Sequence, residues 1–145
     1  MLTGVAGFIG FHLAERLMRD NAIENIIAID NFNDYYDVQL KKNRINKLKK
    51  NKNSHKLLIS RIDINNYKKI LFLAKKFHVK IIYHLAAQAG IRHSFINPRS
   101  YIDSNINGFF NIIEVARYLK IKKLIYASSS SAYGNNTKAP YAEKS

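Results

Sequence analysis

Four short apolar runs rich in β-branched residues, each set off from the next by a longer amphipathic stretch, constrain this chain more than any other feature. The runs are 25–30 (Asn-Ile-Ile-Ala-Ile-Asp), 56–61, 80–85 and 123–128. Each is short and nearly continuously apolar, the pattern of a strand covered on both faces. The spacing predicts a helix over 8–20, with Ile9, Leu13, Leu17 and Met18 on one face. A second is predicted over 37–50 (Val38, Leu40, Ile45, Leu48) and a third over 66–77 (Ile70, Leu71, Ala74, Phe77). Pro98 opens a fourth, long one, with Asn97 as its N-cap, running through Ile106, Phe109, Ile113 and Ala116. Strand–helix alternation at this spacing predicts the α/β class, with a parallel, doubly wound sheet. At 145 residues, without repeats or a Pro/Gly/Ser-rich linker, residues 1–145 read as one domain or part of a larger one.

Composition removes several function classes. The chain has no cysteine, which excludes a disulfide scaffold and a Cys-ligated zinc site. A 47% hydrophobic content is that of a globular chain rather than a disordered tail. No run of about 18 uncharged apolar residues is present, and Met1-Leu-Thr-Gly lacks the basic start of a signal peptide. The default expectation is a soluble cytoplasmic protein without membrane partners. The formal charge of +14 is concentrated: 14 of the 24 Lys and Arg residues lie within 41–80, against Asp63 alone. Such a tract can be a polyanion footprint or a solvated helix face. It is mainly lysine, and it has no aromatic residue between Tyr36 and Tyr67 on which a base could stack. The solvated face is therefore the favoured reading, with no specific nucleic-acid partner.

The chemistry concentrates at a glycine-rich turn. Thr3-Gly-Val-Ala-Gly-Phe-Ile-Gly10 places Gly4, Gly7 and Gly10 between a short apolar start and the first helix. That is where a dinucleotide fingerprint belongs: Gly4 for the tight turn, Gly7 for backbone approach to a pyrophosphate, Gly10 for close helix–strand packing. The helix start at Phe8 and Ile9 offers free amides and a positive dipole end to phosphate. The spacing is G-x-x-G-x-x-G, and a turn that merely packs a helix on a sheet is the alternative. Asp30 sharpens the case. It stands 20 residues after Gly10, at the carboxyl end of the second run, where a carboxylate accepts from ribose hydroxyls. Its charge would repel a 2′-phosphate, which favours NAD over NADP.

Taken in order, Thr3-Gly4…Gly7…Gly10, Asp30-Asn31, Asp63-Ile64, His84-Leu-Ala-Ala87, Asn105 and Ser128-Ser-Ser-Ser-Ala-Tyr-Gly134 resemble the extended short-chain dehydrogenase/reductases that modify nucleotide sugars. Asn33-Asp-Tyr-Tyr-Asp37 and Gln88-Ala-Gly-Ile-Arg92 resemble the UDP-glucuronate 4-epimerase branch. The resemblance covers essentially the whole chain. It implies a Rossmann-type sheet, here incomplete, with a partial first strand and with later strands and the substrate domain missing. It implies NAD as cofactor, a UDP-sugar substrate and a homodimeric parent enzyme. By resemblance, Gly4, Gly7, Phe8, Ile9 and Gly10 would wrap the pyrophosphate, and Asp30 and Asn31 would hold the adenosine ribose. Asp63 and Ile64 would flank the adenine. Leu85, Ala86, Ala87, Gln88 and Ala89 would line the nicotinamide half, with Asn105 inward on its helix. Asp63 as a strand-end residue, Ala86 and Ala87 as small core residues and Asn105 as a satisfied buried amide are the plainer readings. His84 reads as a core histidine, since no second ligand lies at metal spacing.

The resemblance also assigns chemistry to the serine run. Ser129 aligns with the catalytic Ser/Thr, while Ser130, Ser131 and Arg92 would face the substrate. Read from the residues alone, the run could equally form a turn. The implied reaction is C4 epimerisation through a 4-keto sugar, UDP-glucuronate to UDP-galacturonate. Ser130 and Ser131 would hold the carboxylate against loss of CO₂. Serines in place of tuned carboxyls favour an epimerase over a dehydratase. The alternatives are a UDP-glucose 4-epimerase or another nucleotide-sugar epimerase or dehydratase, and, from another class, a non-catalytic basic binding module. The family's Tyr-x-x-x-Lys base is not found; Tyr141-Ala-Glu-Lys144 has the wrong spacing. These 145 residues alone are expected not to turn over UDP-glucuronate.

Overall fold

The computed structural model describes residues 1–135 and 140–142. Residues 136–139 of the polar loop, and Glu143 and Lys144 of the Tyr141–Lys144 segment, lie outside the described residues. Five parallel strands form one sheet in the order β3-β2-β1-β4-β5. They are β1 (Leu2–Thr3), β2 (Ile26–Asp30), β3 (Leu57–Arg61), β4 (Ile81–His84) and β5 (Lys123–Tyr126). The helices between them are α1 (Phe8–Met18), α2 (Val38–Lys49), α3 (Tyr67–Lys76), the single turn α4 (Arg99–Tyr101) and α5 (Phe109–Tyr118).

β1 has two residues, yet both are paired on both sides: Leu2 with Ala28 and Tyr83, Thr3 with Ile29 and His84. It lies at the sheet centre, as the doubly wound pattern requires. β2 is buried along its whole length and alternates between two cores. Ile26 and Ala28 join Leu2, Phe11, Met18 and Leu48 on the α1–α2 side. Ile27 and Ile29 join Ile70, Ile82, Ile112 and Val115 on the α3–α5 side. Helices therefore cover both faces.

Four expectations from the sequence are corrected. β3 and β5 are not covered on both faces. They are the outer strands of this sheet, and Leu58, Ile125 and Tyr126 stay exposed. The buried stripe of α1 is Gly10, Phe11, Ala14 and Met18, with Ile9 exposed and Leu13 and Leu17 only partly covered. The long helix after Pro98 is not regular. A π-helical turn, Ile102–Gly108, lies between α4 and α5. Its wider winding rotates the following residues, so Gly108, Ile112 and Val115 face the core while Ile106 and Ile113 are exposed. The N-cap of α4 is Pro98 rather than Asn97; Asn97, one residue earlier, accepts the Ser100 amide on its Oδ1 at 3.2 Å.

The centre of the sheet is tied by one hydroxyl. Thr3 Oγ1 accepts the amides of Leu85 and Ala86, each at 3.1 Å. A hydroxyl has one proton and two lone pairs. Both lone pairs are taken, so its proton goes to His84 Nδ1, 2.7 Å away. His84 is therefore neutral with its proton on Nε2, stacked on Phe109 at 5.2 Å and 8°. Burial holds the imidazole pKa down from 6.5 to about 4. The unfolded chain binds this proton below about 6.5 and the folded chain only below about 4. Stability is therefore lost as pH falls through that window. His84 should contribute a loss of about 2 kcal/mol between pH 7 and pH 5. Chemical denaturation at the two pH values checks this. His84→Gln, whose carbonyl can still accept from Thr3, should lack that part of the slope.

Candidate functional site: a cleft at the carboxyl edge of the sheet

A cleft of about 590 Å³ opens where β1, β2 and β4 end. Its floor is the glycine turn. Gly4 has φ +73°, and a Cβ there would sit 2.8 Å from the Ala86 amide nitrogen. Only glycine lets the turn approach the chain after β4 so closely. A Cβ on Gly10 would overlap the Gly4 carbonyl oxygen, so this glycine packs α1 onto the turn. Gly7 differs: a Cβ would meet only the Gly4 oxygen, at 3.2 Å, and the space beyond it is open. Gly7 is also the N-cap of α1, with no side chain capping the helix. The first-turn amides of Phe8, Ile9 and Gly10 have no intrahelical partner and stand at the cleft. Free amides at a positive helix end suit a phosphate.

Asp30 ends β2 at the cleft wall. Its Oδ2 accepts the Ala6 amide at 3.0 Å and its Oδ1 the Phe32 amide at 2.9 Å. One carboxylate thus fastens the glycine turn to the loop after β2. A carboxylate offers about four acceptor sites; two remain for hydroxyl donors from the cleft. Asn31 lines the cleft beside it. Its Nδ2 donates to Asp63 Oδ2 at 2.8 Å, and its Oδ1 accepts the Asn33 amide at 3.0 Å.

The residues named from the sequence divide into two layers. Gly4, Gly7, Phe8, Ile9, Gly10, Asp30, Asn31, Ile64, Leu85, Ala86, Ala87, Gln88 and Ala89 all line the cleft. Asp63 and Asn105 stand behind it. Asp63 holds Asn31 and also accepts the Asn65 amide at 2.8 Å and the Asn65 side chain at 2.9 Å. Partial burial pulls its carboxyl up, and these hydrogen bonds outweigh that, leaving its pKa below the ordinary value. Asn105, on the π-helical turn, clamps one residue from both sides. Its Oδ1 accepts the Gln88 amide at 2.8 Å and its Nδ2 donates to the Gln88 carbonyl at 2.9 Å.

Ser129, Ser130, Ser131 and Arg92 are exposed and outside the cleft. Ser129 Oγ accepts the Ser131 amide at 3.2 Å and caps a short 3-10 turn, so the run forms a turn just past Ala127, which does line the cleft. Arg92 lies on the exposed 3-10 segment Ile91–Phe95. His84 is the core residue expected, and no group of three His, Asp or Glu at metal spacing exists among the described residues.

Ten residues that line the cleft carry no assignment from the sequence, Lys41, Arg44, Tyr35 and Tyr36 among them. Lys41 and Arg44 were counted with the solvated lysine face. Lys41 is buried, and its Nζ donates to the Asn33 carbonyl and side-chain oxygens at 2.7 and 2.6 Å. Burial lowers its pKa, with Asp30 and Asp34 partly opposing. Arg44 Nη1 donates to the Ala6 carbonyl at 3.1 Å, and its guanidinium lies 5.9 Å from the Phe8 ring centre. Tyr35 and Tyr36 complete the wall. The available signal was spacing: Lys41 and Arg44 share the inward stripe of α2 with Ile45 and Leu48. Because the Gly10 position tolerates no Cβ, Gly10→Ala should cost about 1–3 kcal/mol of stability, read from denaturant midpoints.

The family model described as GDP-mannose 4,6 dehydratase matches residues 1–145. The chain is 41% identical over 145 residues to UDP-glucuronate 4-epimerase 4 of Arabidopsis thaliana, covering 99% of this chain and 32% of that protein. It is 40% identical over 137 residues to UDP-glucuronate 4-epimerase of Thermodesulfobacterium geofontis, covering 94% and 41% respectively. The solved structure of UDP-glucuronic acid 4-epimerase from Bacillus cereus, in complex with UDP-glucuronic acid and NAD, matches with a TM-score of 0.82 at 32% identity. That match covers 99% of this chain and 43% of the other. The chain spans less than half the length of these relatives. With a family match along its whole length and the sheet, glycine turn and acidic strand end in place, the chain belongs to the GDP-mannose 4,6-dehydratase family.

Proposed function

We propose that this chain is the NAD-binding portion of a nucleotide-sugar 4-epimerase, acting on UDP-glucuronate to give UDP-galacturonate. The observation that carries this reading is the cleft itself: a turn that only glycine can form, bare helix amides beside it, and a buried carboxylate with acceptor capacity to spare. The residues fit the cofactor's parts. The amides at Gly7–Gly10 would take the diphosphate, Asp30 and Asn31 the adenosine ribose, and Ile64 the adenine face. Asp63 would act through Asn31, and Asn105 through Gln88. Ala86 and Ala87 would leave room for a flat ring. Bound there, NAD supplies a hydride acceptor and donor for oxidation and re-reduction at C4.

On the substrate side, Ser129 would hydrogen-bond the C4 oxygen, with Ser130, Ser131 and Arg92 toward the C5 substituent. A serine hydroxyl can hold an anion but is no acid or base near neutral pH, which suits an epimerase. The relatives named UDP-glucuronate 4-epimerases support this substrate. The whole enzyme would be a homodimer.

NAD titration of the full polypeptide tests the cofactor half. Asp30→Ala should weaken NAD by about 10- to 100-fold, since charge-assisted hydrogen bonds are lost. Gly7→Ala should weaken it similarly with little change in melting temperature, because its Cβ enters the ligand's space and not the core. Wild-type affinity in both variants would refute the assignment. Proton NMR of the sugar products after incubation with UDP-glucuronate tests the substrate half.

A further inference from the structure

Two loops meet above the cleft. One follows β2 and carries Tyr35; the other follows β4 and carries Gly90 and His93. In the sheet, β1 lies between β2 and β4. A contact between the loops that follow those strands therefore passes over the carboxyl end of β1, where the glycine turn lies. The contact is aromatic. The Tyr35 and His93 ring centres are 4.6 Å apart, and His93 continues to Tyr101 at 6.3 Å.

The contact is also built for. Gly90 has φ +88°, and a Cβ there would overlap the Tyr35 hydroxyl. The backbone conformation favours glycine here, and the Tyr35 hydroxyl occupies the space its missing side chain leaves. Tyr101 fixes the same turn, its one hydroxyl proton shared between the Gly90 carbonyl and the Ala89 carbonyl, the latter at 3.1 Å. The Tyr35 loop is held at both ends: Lys41 grips Asn33, and Asp37 caps α2 by accepting the Gln39 amide at 2.6 Å. The opposite loop is held much less. Ile91, Phe95 and Ile96 are each at least 80% exposed, and the segment Ile91–Phe95 buries no residue. A segment with so little burial opens at low cost.

The geometry points to a clasp: Tyr35 and His93 join two loops across the mouth of the cleft and set the rate at which the cofactor enters and leaves. This rests on the NAD reading above and adds positioning residues to it. A reaction that removes a hydride and returns it to the same sugar regenerates its cofactor in every cycle. Slow cofactor exchange costs such a reaction nothing and protects the oxidised intermediate. His93 does not line the cleft. It acts on the cleft through its ring contact with Tyr35, which does line it.

The test is stopped-flow association and chase of a fluorescent etheno-NAD on the full polypeptide. His93→Ala should raise both rate constants at least ten-fold, with the equilibrium constant changed less than three-fold, and Tyr35→Ala should also raise both at least ten-fold. The double variant should go no further than either single one, because one contact has been cut. Tyr35→Phe, which keeps the ring, should stay within two-fold of wild type. Unchanged rates in His93→Ala overturn the clasp. So does a rise in dissociation alone with matching loss of affinity, which is the signature of a simple ligand contact. If the wild-type protein binds no NAD, the cofactor reading itself fails, and the clasp with it.

Discussion

The Asp30 carboxylate is the interaction on which the site depends. It accepts from the Ala6 amide in the glycine turn and from the Phe32 amide in the loop after β2. Two loops from different strands are thereby set against each other by one buried anion. Unpaired, a charge so largely buried would be costly; here backbone amides satisfy it. The rest of the wall follows from this pair of bonds. The turn is placed, so α1 starts where its amides face the cleft. The loop is placed, so Asn31, Asn33 and then Lys41 fall into contact around it. The same group that organises the glycine turn is the one proposed to grip the ribose. Structure and recognition are one feature.

Opposite it, Thr3 does the equivalent work for the chain after β4. Its hydroxyl takes the Leu85 and Ala86 amides and hands its proton to a histidine kept neutral by burial. With Asn105 clamping Gln88 on the far side, the Leu85–Gln88 wall is held by side chains that never reach the cleft. The π-helical turn carries Asn105. A regular helix would put the following residues in a different phase, and the clamp and the Gly108–Val115 core contacts could not both be kept. Such turns recur at functional sites for this kind of reason.

Much of this was legible in the residues. Apolar runs bounded by turn signals placed four strands to within a residue or two. The glycine spacing and Asp30 located the cleft, because each demands a particular backbone approach or charge. What the sequence hid was of two kinds. The first is context beyond the element. The spacing of Lys41 and Arg44 puts them on the inward stripe of α2, but what they meet there, Asn33 and the Ala6 carbonyl, comes from other elements. Asp63 and Asn105 look like ligand contacts, yet their partners are other side chains and backbone in the layer behind. The second is phase. With the π turn in place, the buried residues of α5 are Ile112 and Val115 rather than Ile113, and Ile106 within the turn is exposed, a phase that a 3.6-residue repeat does not reveal. The outer strands β3 and β5 are largely apolar, like the inner β2 and β4, so their exposure follows from sheet order.

The lysine tract makes the decisive contrast. Apart from Lys41, Arg44 and Arg61, which donates to the Asn31 carbonyl at 3.2 Å, its basic side chains do not touch the cleft residues and would attract any phosphate by charge alone. A crystal structure of the full polypeptide grown with NAD separates the two sites. The account predicts the diphosphate against the Gly7–Gly10 amides and a ribose hydroxyl on Asp30. Density for the dinucleotide on the outer lysines of α2 and α3, with the glycine turn bare, would contradict it.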